Sequence, residues 1–159
     1  MIGFGSPMRS DDGVGLAAIE ELKRRGYERP GVDLVDGGVR GVNLLAMLEG
    51  YDRAIVLDAA LARKGAVGDV QVVDLEEARF LLRPRVSLHN LDLGTTFELA
   101  RALDIDLPPV EFVLMGVSEI GPGEGLSPEV QAALPGMVEA AARRINGFSN
   151  RIGRADAAM

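Results

Sequence analysis

Short apolar runs alternate along the chain with longer amphipathic segments, and Gly and Pro separate the two kinds. The apolar runs predict strands at Ile2–Gly5, Val32–Val35, Ala54–Leu57, Val67–Leu75 and Phe112–Val117. The amphipathic segments predict helices at Val14–Arg25, Val42–Leu48, Leu91–Leu103 and Glu129–Ile145. Because strands alternate with helices, this order favours parallel βαβ units. The predicted fold is a single-domain three-layer α/β/α sandwich with a mostly parallel sheet over residues 1–146, followed by a polar tail over 147–159 that frays.

The predicted first strand is unusually short. Ile2 is followed almost at once by the Gly3-Phe4-Gly5 turn, whereas strands usually have about five or six residues. We expect either a short strand or a chain that lacks a few upstream residues, and a strand from another chain could also complete it. At the other end of the domain, Ser127 is a suitable N-cap and Pro128 suits the first helical turn.

Composition narrows the possible functions. The 159 residues are 47% apolar and 26% charged, without cysteine, and carry a formal net charge of −7. These values predict one globular domain without disulfides or thiolate metal sites, and no nucleic-acid or membrane partner. The N-terminal sequence lacks the features of a signal peptide, so we expect a cytoplasmic protein. The single histidine, His89, excludes two-histidine zinc motifs such as HExxH.

Acidic residues follow three of the predicted strands. Asp11 and Asp12 follow the first strand, Asp36 ends the second and Asp58 ends the third. Ligands of open α/β sheets bind beyond the carboxyl ends of the strands, so these carboxylates should converge on one edge. Two carboxylates and an imidazole form an O,O,N set suited to nickel, zinc or manganese, and three protein ligands leave positions open for substrate or water.

Structural roles could also explain each of these residues. Asp12 could stabilise a helix N-terminus, Asp58 could cap a helix after its strand, and Asp36 could be an ordinary turn residue before Gly37-Gly38. His89 could be a capping or surface residue. From position alone, both interpretations remain open for all four side chains.

Other catalytic motifs do not fit the sequence. The segment Gly13–Ala18 matches GxGxxA, but it follows two acids that would repel a pyrophosphate. Ser118 does not lie in a GxSxG elbow, and the chain has no phosphate-binding GxxxxGK[ST] loop.

The motifs, in chain order, resemble those of the hydrogenase maturation endopeptidases. The segment Gly3–Gly15 resembles that family's G-x-G-N-x-x-x-x-D-[DE]-G-x-G signature, with Ser6 where the family has Asn. The other matching segments are Asp36-Gly37-Gly38, Val56-Leu57-Asp58-Ala59, Ser87-Leu88-His89-Asn90-Leu91, Gly116-Val117 and Leu126-Ser127-Pro128. Together they cover nearly the whole chain, to about Asn146.

This resemblance implies a phosphorylase/hydrolase-like α/β fold and an endopeptidase that removes a C-terminal extension from a [NiFe] hydrogenase large-subunit precursor. It implies that Asp12, Asp58 and His89 bind nickel, which arrives with the substrate, and that no organic cofactor takes part. It also implies that Asp36 handles the substrate or contributes to activity, so that the catalytic set is Asp12, Asp36, Asp58 and His89.

Three other functions remain open at this stage. One is a peptidase of the same fold that acts on a different protein. Another is a non-catalytic metal-binding or interaction module. The third, a nucleotide-binding domain, is disfavoured by the acidic loop.

Overall fold

The computed structural model describes residues 1–39, 43–63, 66–81, 93–118 and 120–155 of the chain. His89 lies outside the described residues, as do the other residues of the segment 82–92, which includes the start of the predicted helix Leu91–Leu103.

The described residues form five strands and five α-helices. The strands are β1 (Ile2–Phe4), β2 (Val35–Gly38), β3 (Ala54–Leu61), β4 (Val70–Asp74) and β5 (Val110–Val117). The helices are α1 (Val14–Arg24), α2 (Leu44–Leu48), α3 (Leu75–Leu81), α4 (Leu93–Ala102) and α5 (Pro128–Ala155). A single 3₁₀ turn, Ser10–Gly13, directly precedes α1. Among the described helices, none is both long enough and apolar enough to span a membrane.

The sheet is mostly parallel, as predicted, in the order β2-β1-β3-β5-β4. Strands β1, β2, β3 and β5 are parallel to their neighbours, whereas β4 is antiparallel to β5. Only residues 62–69 separate β3 from β4. A parallel crossover needs about a dozen residues or more, so the chain returns antiparallel at this edge.

Two apolar layers cover the faces of the sheet, which confirms the three-layer architecture. Along β3, Ile55 and Leu57 pack with α1 and α5, while Ala54 and Val56 pack on the opposite side with α2, α3 and α4. The alternation follows from the two-residue period of a strand. Burial on both faces explains why nearly all positions of β3 and β5 are apolar.

The hydrophobic pattern does not predict the short helix α3, although the start of this helix carries a recognisable sequence signal. Asp74 Oδ1 accepts a hydrogen bond from Glu77 N at 2.9 Å, and Glu77 Oε2 accepts one from Asp74 N at 3.3 Å. This is the reciprocal pairing of a capping box, with Asp in place of Ser or Thr. The spacing of Asp74 and Glu77 could therefore have revealed the helix.

Several predicted boundaries were wrong. Strand β2 covers Val35–Gly38 rather than Val32–Val35, because β1 pairs with it from Val35 to Gly38. Strand β3 continues to Leu61, because β5 extends beside it and pairs residue by residue as far as Leu61↔Val117. Helix α5 continues to Ala155, whereas the sequence predicted its end at Ile145 and a frayed tail beyond it.

The start of α1 lies against the backbone of two strands. A methyl group on Gly15 would overlap Leu57 O of β3 and lie 2.5 Å from Phe4 O of β1. The second glycine of the GxGxxA match, Gly15, therefore allows close helix–strand packing and sets the distance between α1 and the centre of the sheet.

We expect Gly15→Ala to destabilise the fold by at least about 1–3 kcal/mol, because a methyl group at this position must displace backbone. Gly147→Ala is a matched control, since Gly147 is also helical and a Cβ there meets nothing within 4 Å. That control should be neutral, or stabilising by up to about 1 kcal/mol. Urea unfolding of the two variants measures both effects, and equal stabilities would contradict this account of the packing.

Candidate active site

The carboxyl ends of β1 and β3 form the switch point of the sheet. From β1 the chain proceeds through α1 to β2 on one side, and from β3 it proceeds to β4 and β5 on the other. Crevices outside such points are where ligands bind in open α/β sheets. Asp12 follows β1 and Asp58 belongs to β3, so these two predicted residues flank the crevice.

Asp12 lies in the 3₁₀ turn, and its carboxylate is held by the loop that precedes it. The residue is only 5% exposed, and its Oδ2 accepts a hydrogen bond from Ser6 N at 3.0 Å. The turn packs against β3, the strand that contains Asp58. The acid thus has a fixed orientation near the carboxyl ends of β1 and β3.

Glycines bring the segments that contain Asp12 and Asp36 close to the end of β1. Gly5 has φ +129°, and a methyl group there would overlap the carbonyl oxygen of Asp12. Gly5 N also donates to Gly38 O at 3.0 Å, which joins the end of β1 to the end of β2. Only a residue without a Cβ permits this approach and favours this backbone angle.

Asp58 lies within β3, not at its end as predicted. The amides of Ala54 and Ala62 donate toward β5, so the amides of odd-numbered residues between them face β1. The last β1 residue paired with β3 is Gly3, opposite Leu57. The next amide facing β1 is that of Ala59, and it donates to Asp58 Oδ1 at 2.8 Å. The Asp58 carboxylate therefore accepts a hydrogen bond from the part of β3 that extends beyond β1. Because β3 continues to Leu61, no helix follows Asp58, and its alternative role as a helix cap is excluded.

The side chain of Asp58 points to the face of the sheet on which α4 packs. It shares the strand period of Ala54 and Val56, and these residues belong to the same apolar layer as Phe97 of α4. His89 precedes α4 in the sequence but lies outside the described residues. Within the residues that are described, no three His, Cys, Asp or Glu side chains are grouped closely enough to hold a metal ion.

Asp36 is on β2, the edge strand next to β1. It is exposed, and its Oδ1 accepts a hydrogen bond from Gly38 N at 2.7 Å. This contact is the turn role considered for Asp36 in the sequence. Gly37 is needed here because a Cβ would lie 2.6 Å from the ring of Phe4, and Gly38 is needed for its φ of +67°.

Ser6 performs a capping role where the family signature has Asn. Its hydroxyl oxygen accepts a hydrogen bond from Met8 N at 3.3 Å, and its carbonyl oxygen accepts one from Arg9 N at 3.1 Å. Ser and Asn side chains can both accept from the backbone two residues later. The departure from the signature therefore preserves the loop that leads to Asp12.

Asp11 is a buried residue whose role was not apparent from the sequence. Its two carboxylate oxygens accept hydrogen bonds from Ser127 N at 2.6 Å and from Ser127 Oγ at 2.9 Å. Ser127 precedes α5, and its Oγ accepts from Val130 N at 3.4 Å, which confirms Ser127 as the N-cap. Asp11 thus links the site loop to the start of α5 across 116 positions of sequence.

Comparison with known proteins identifies the family. Residues 16–144 match the family model described as hydrogenase maturation protease. The chain belongs to the hydrogenase maturation protease family. Members of this family are endopeptidases, which confirms the resemblance seen in the motifs.

Individual relatives agree with this assignment. The hydrogenase 2 maturation protease of Escherichia coli strain K12 is 29% identical over 87% of this chain and 85% of its own length. An endopeptidase from Escherichia coli, solved in solution, has a TM-score of 0.73 and 26% identity, and the match covers 88% of this chain and 86% of that one.

The hydrogenase maturating endopeptidase HybD from E. coli has the same fold. Its TM-score is 0.75 with 24% identity, and the match covers 92% of this chain and 91% of that chain.

Ser6→Ala should destabilise this maturation protease by about 0.5–1.5 kcal/mol, because the variant leaves Met8 N without its acceptor. Ser6→Asn should retain most of the stability, because the Asn carbonyl oxygen can accept the same hydrogen bond. Chemical denaturation of both variants tests this. A larger loss for Asn than for Ala would show that the capping interaction is not what the loop requires.

Proposed function

We propose that this protein is the endopeptidase that removes a C-terminal extension from a nickel-loaded [NiFe] hydrogenase large-subunit precursor. The observation that carries the proposal is the pair Asp12 and Asp58, oriented by separate backbone amides at the switch point of a maturation-protease fold. The name of the E. coli relative, hydrogenase 2 maturation protease, supports a hydrogenase as the target.

The chemistry of these side chains suits nickel carried by the substrate. Asp12 and Asp58 supply two carboxylates, and His89 supplies the imidazole of an O,O,N set. A dication compensates the mutual repulsion of two carboxylates held near one another. The proposed role of these three residues is to bind the nickel of the precursor and so select the loaded form.

Binding the nickel brings the adjacent peptide bond to the sheet edge. In the proposed reaction, a water molecule adds to the scissile carbonyl, the C–N bond breaks, and the leaving amine takes up a proton. Asp36, exposed beside the end of β1, orients the substrate or accepts the proton of the water. The precursor's nickel, held by Asp12, Asp58 and His89, would supply Lewis-acid polarisation of the carbonyl or of the water.

We expect the protein to shorten a nickel-loaded precursor and to leave the nickel-free precursor intact. Asp58→Asn should abolish this cleavage while the fold is retained, since Asn keeps an oxygen acceptor for Ala59 N but loses the charge. Mass spectrometry of the precursor after incubation measures the removal of the C-terminal peptide.

The control is Asp106→Asn, which removes an exposed carboxylate shortly before β5. Asp106 therefore lies toward the amino ends of the parallel strands, whereas the site lies at their carboxyl ends. The Asp106→Asn variant should cleave like the parent protein. Full activity of Asp58→Asn would eliminate the metal-binding scheme. Failure of the folded parent protein to cleave either precursor would favour a different protein substrate or a role limited to binding.

The edge around the site also presents apolar side chains suited to a protein substrate. Met8, in the loop before Asp12, is 61% exposed, and Val39, directly after β2, is 51% exposed. Exposed apolar residues beside a site commonly contribute to macromolecular contacts. We propose that Met8 contacts the precursor.

Met8→Ser should raise KM for the loaded precursor several-fold with little change in kcat, because uniform binding is lost without loss of the reacting groups. Leu103→Ser is the matched control, since Leu103 has the same 61% exposure and follows α4 near the opposite edge. Steady-state cleavage kinetics compare the two. An equal rise in KM for both variants would contradict a specific contact at Met8.

A further inference from the structure

Asp11 is a buried acidic side chain beside the site whose two carboxylate oxygens are both hydrogen-bonded. It is 3% exposed, and both of its oxygens accept hydrogen bonds from the same residue, Ser127. Burial of a carboxylate is costly unless hydrogen bonds and nearby positive charge compensate it. Here the compensation comes from one backbone N–H, one hydroxyl and the N-terminal end of the long helix α5.

A second pair of hydrogen bonds joins the same two loops. Ser10 N donates to Gly123 O at 2.8 Å, and Gly123 N donates to Met8 O at 3.2 Å. The loop over residues 6–12 is therefore attached to the loop over 121–127 at two places, through backbone groups and through Asp11.

The site loop contains backbone strain that this attachment stabilises. Ser10 has φ +53°, a left-handed conformation that is uncommon for a residue other than Gly. Such conformations persist where surrounding contacts determine them. The bonds of Ser10 N and Asp11 to the second loop lie directly beside the strained residue.

Asp11 and Asp12 belong to one turn but have different partners. A 3₁₀ turn has three residues per turn, so adjacent side chains differ in direction by about 120°. Asp11 bonds to Ser127 before α5, whereas Asp12 bonds to Ser6 at the sheet edge. Fixing Asp11 against α5 therefore fixes the rotation of the turn and the direction of Asp12.

We infer that Asp11 is a positioning residue for the cleavage reaction, acting through Asp12 by anchoring the 3₁₀ turn to the N-cap of α5. This inference rests on the proposed function, because it assigns Asp12 to the binding of the precursor's nickel. Its structural part, the coupling of Asp11 to Asp12 through the turn, is measurable without any substrate.

The decisive comparison is Asp11→Ala against Asp11→Asn. Asn can keep the anchor, since its oxygen accepts from Ser127 N and its amide can donate to Ser127 Oγ, whereas Ala removes both bonds. Asp11→Ala should lower kcat/KM for the nickel-loaded precursor by roughly 10–100-fold, the scale expected for a displaced binding group. Asp11→Asn should stay within a few-fold of the parent protein.

Hydrogen exchange at Ser6 N provides the readout that is independent of activity. This amide donates its hydrogen bond to Asp12 Oδ2 and not to Asp11. Asp11→Ala should accelerate its exchange, and Asp11→Asn should leave it protected. Asp74→Ala is the matched control, because it removes a helix-capping carboxylate remote from the site and should change neither exchange at Ser6 nor kcat/KM.

The cleavage and exchange results distinguish failure of this inference from failure of the proposed function. Parent-like cleavage and parent-like Ser6 exchange in Asp11→Ala would overturn the inference while the proposed function stands. Equal losses of cleavage in Asp11→Ala and Asp11→Asn would also overturn it, since Asp11 would then act through its charge. Absence of cleavage by the parent protein would refute the proposed function, and the exchange data would still decide whether Asp11 orients Asp12.

Discussion

The site depends on the early end of β1. This central strand leaves the sheet after Phe4, while β3 continues beside it to Leu61. Gly5 makes the exit possible, because its backbone adopts φ +129° and lies against the carbonyl of Asp12. A longer β1 would continue along β3 past Leu57 and fill the crevice at the switch point. The exit of the chain at Gly5 is thus what creates the space for a ligand.

The two carboxylates beside this crevice are held by different kinds of structure. Asp58 belongs to a strand that is paired along its length with β5, so its position is as rigid as the sheet. Asp12 lies on a loop and a single 3₁₀ turn, which have little stability of their own. The loop gains its order from Ser6 and from the bonds of Ser10 and Asp11 to the segment before α5. Half of the site is therefore built by the sheet and half by contacts between distant loops.

Local sequence patterns predicted the features that depend on interactions between residues close together in the chain. The alternation of strands and helices, Ser127 with Pro128, and the acids near two strand ends all follow from side-chain period and turn chemistry. The capping box Asp74–Glu77 was equally local and could have been found. The extension of β3 past Asp58 was not predictable in this way, because the pairing strand β5 lies about fifty residues later.

Long-range pairing also explains why the sequence did not reveal the structural role of Asp11. Its partner Ser127 is 116 residues away, and nothing in the spacing of either segment indicates the contact.

Under the proposed function, nickel arrives with the substrate, and this places a particular demand on the site. The ligands must then be oriented before the metal binds. Asp12 meets this demand through Ser6 N, and Asp58 meets it through Ala59 N, so a backbone amide fixes one oxygen of each carboxylate. Orientation by the protein lowers the entropy lost when a ligand binds. The same hydrogen bonds that compensate the carboxylates in the free protein therefore prepare them for the proposed capture of a metal-bearing chain end.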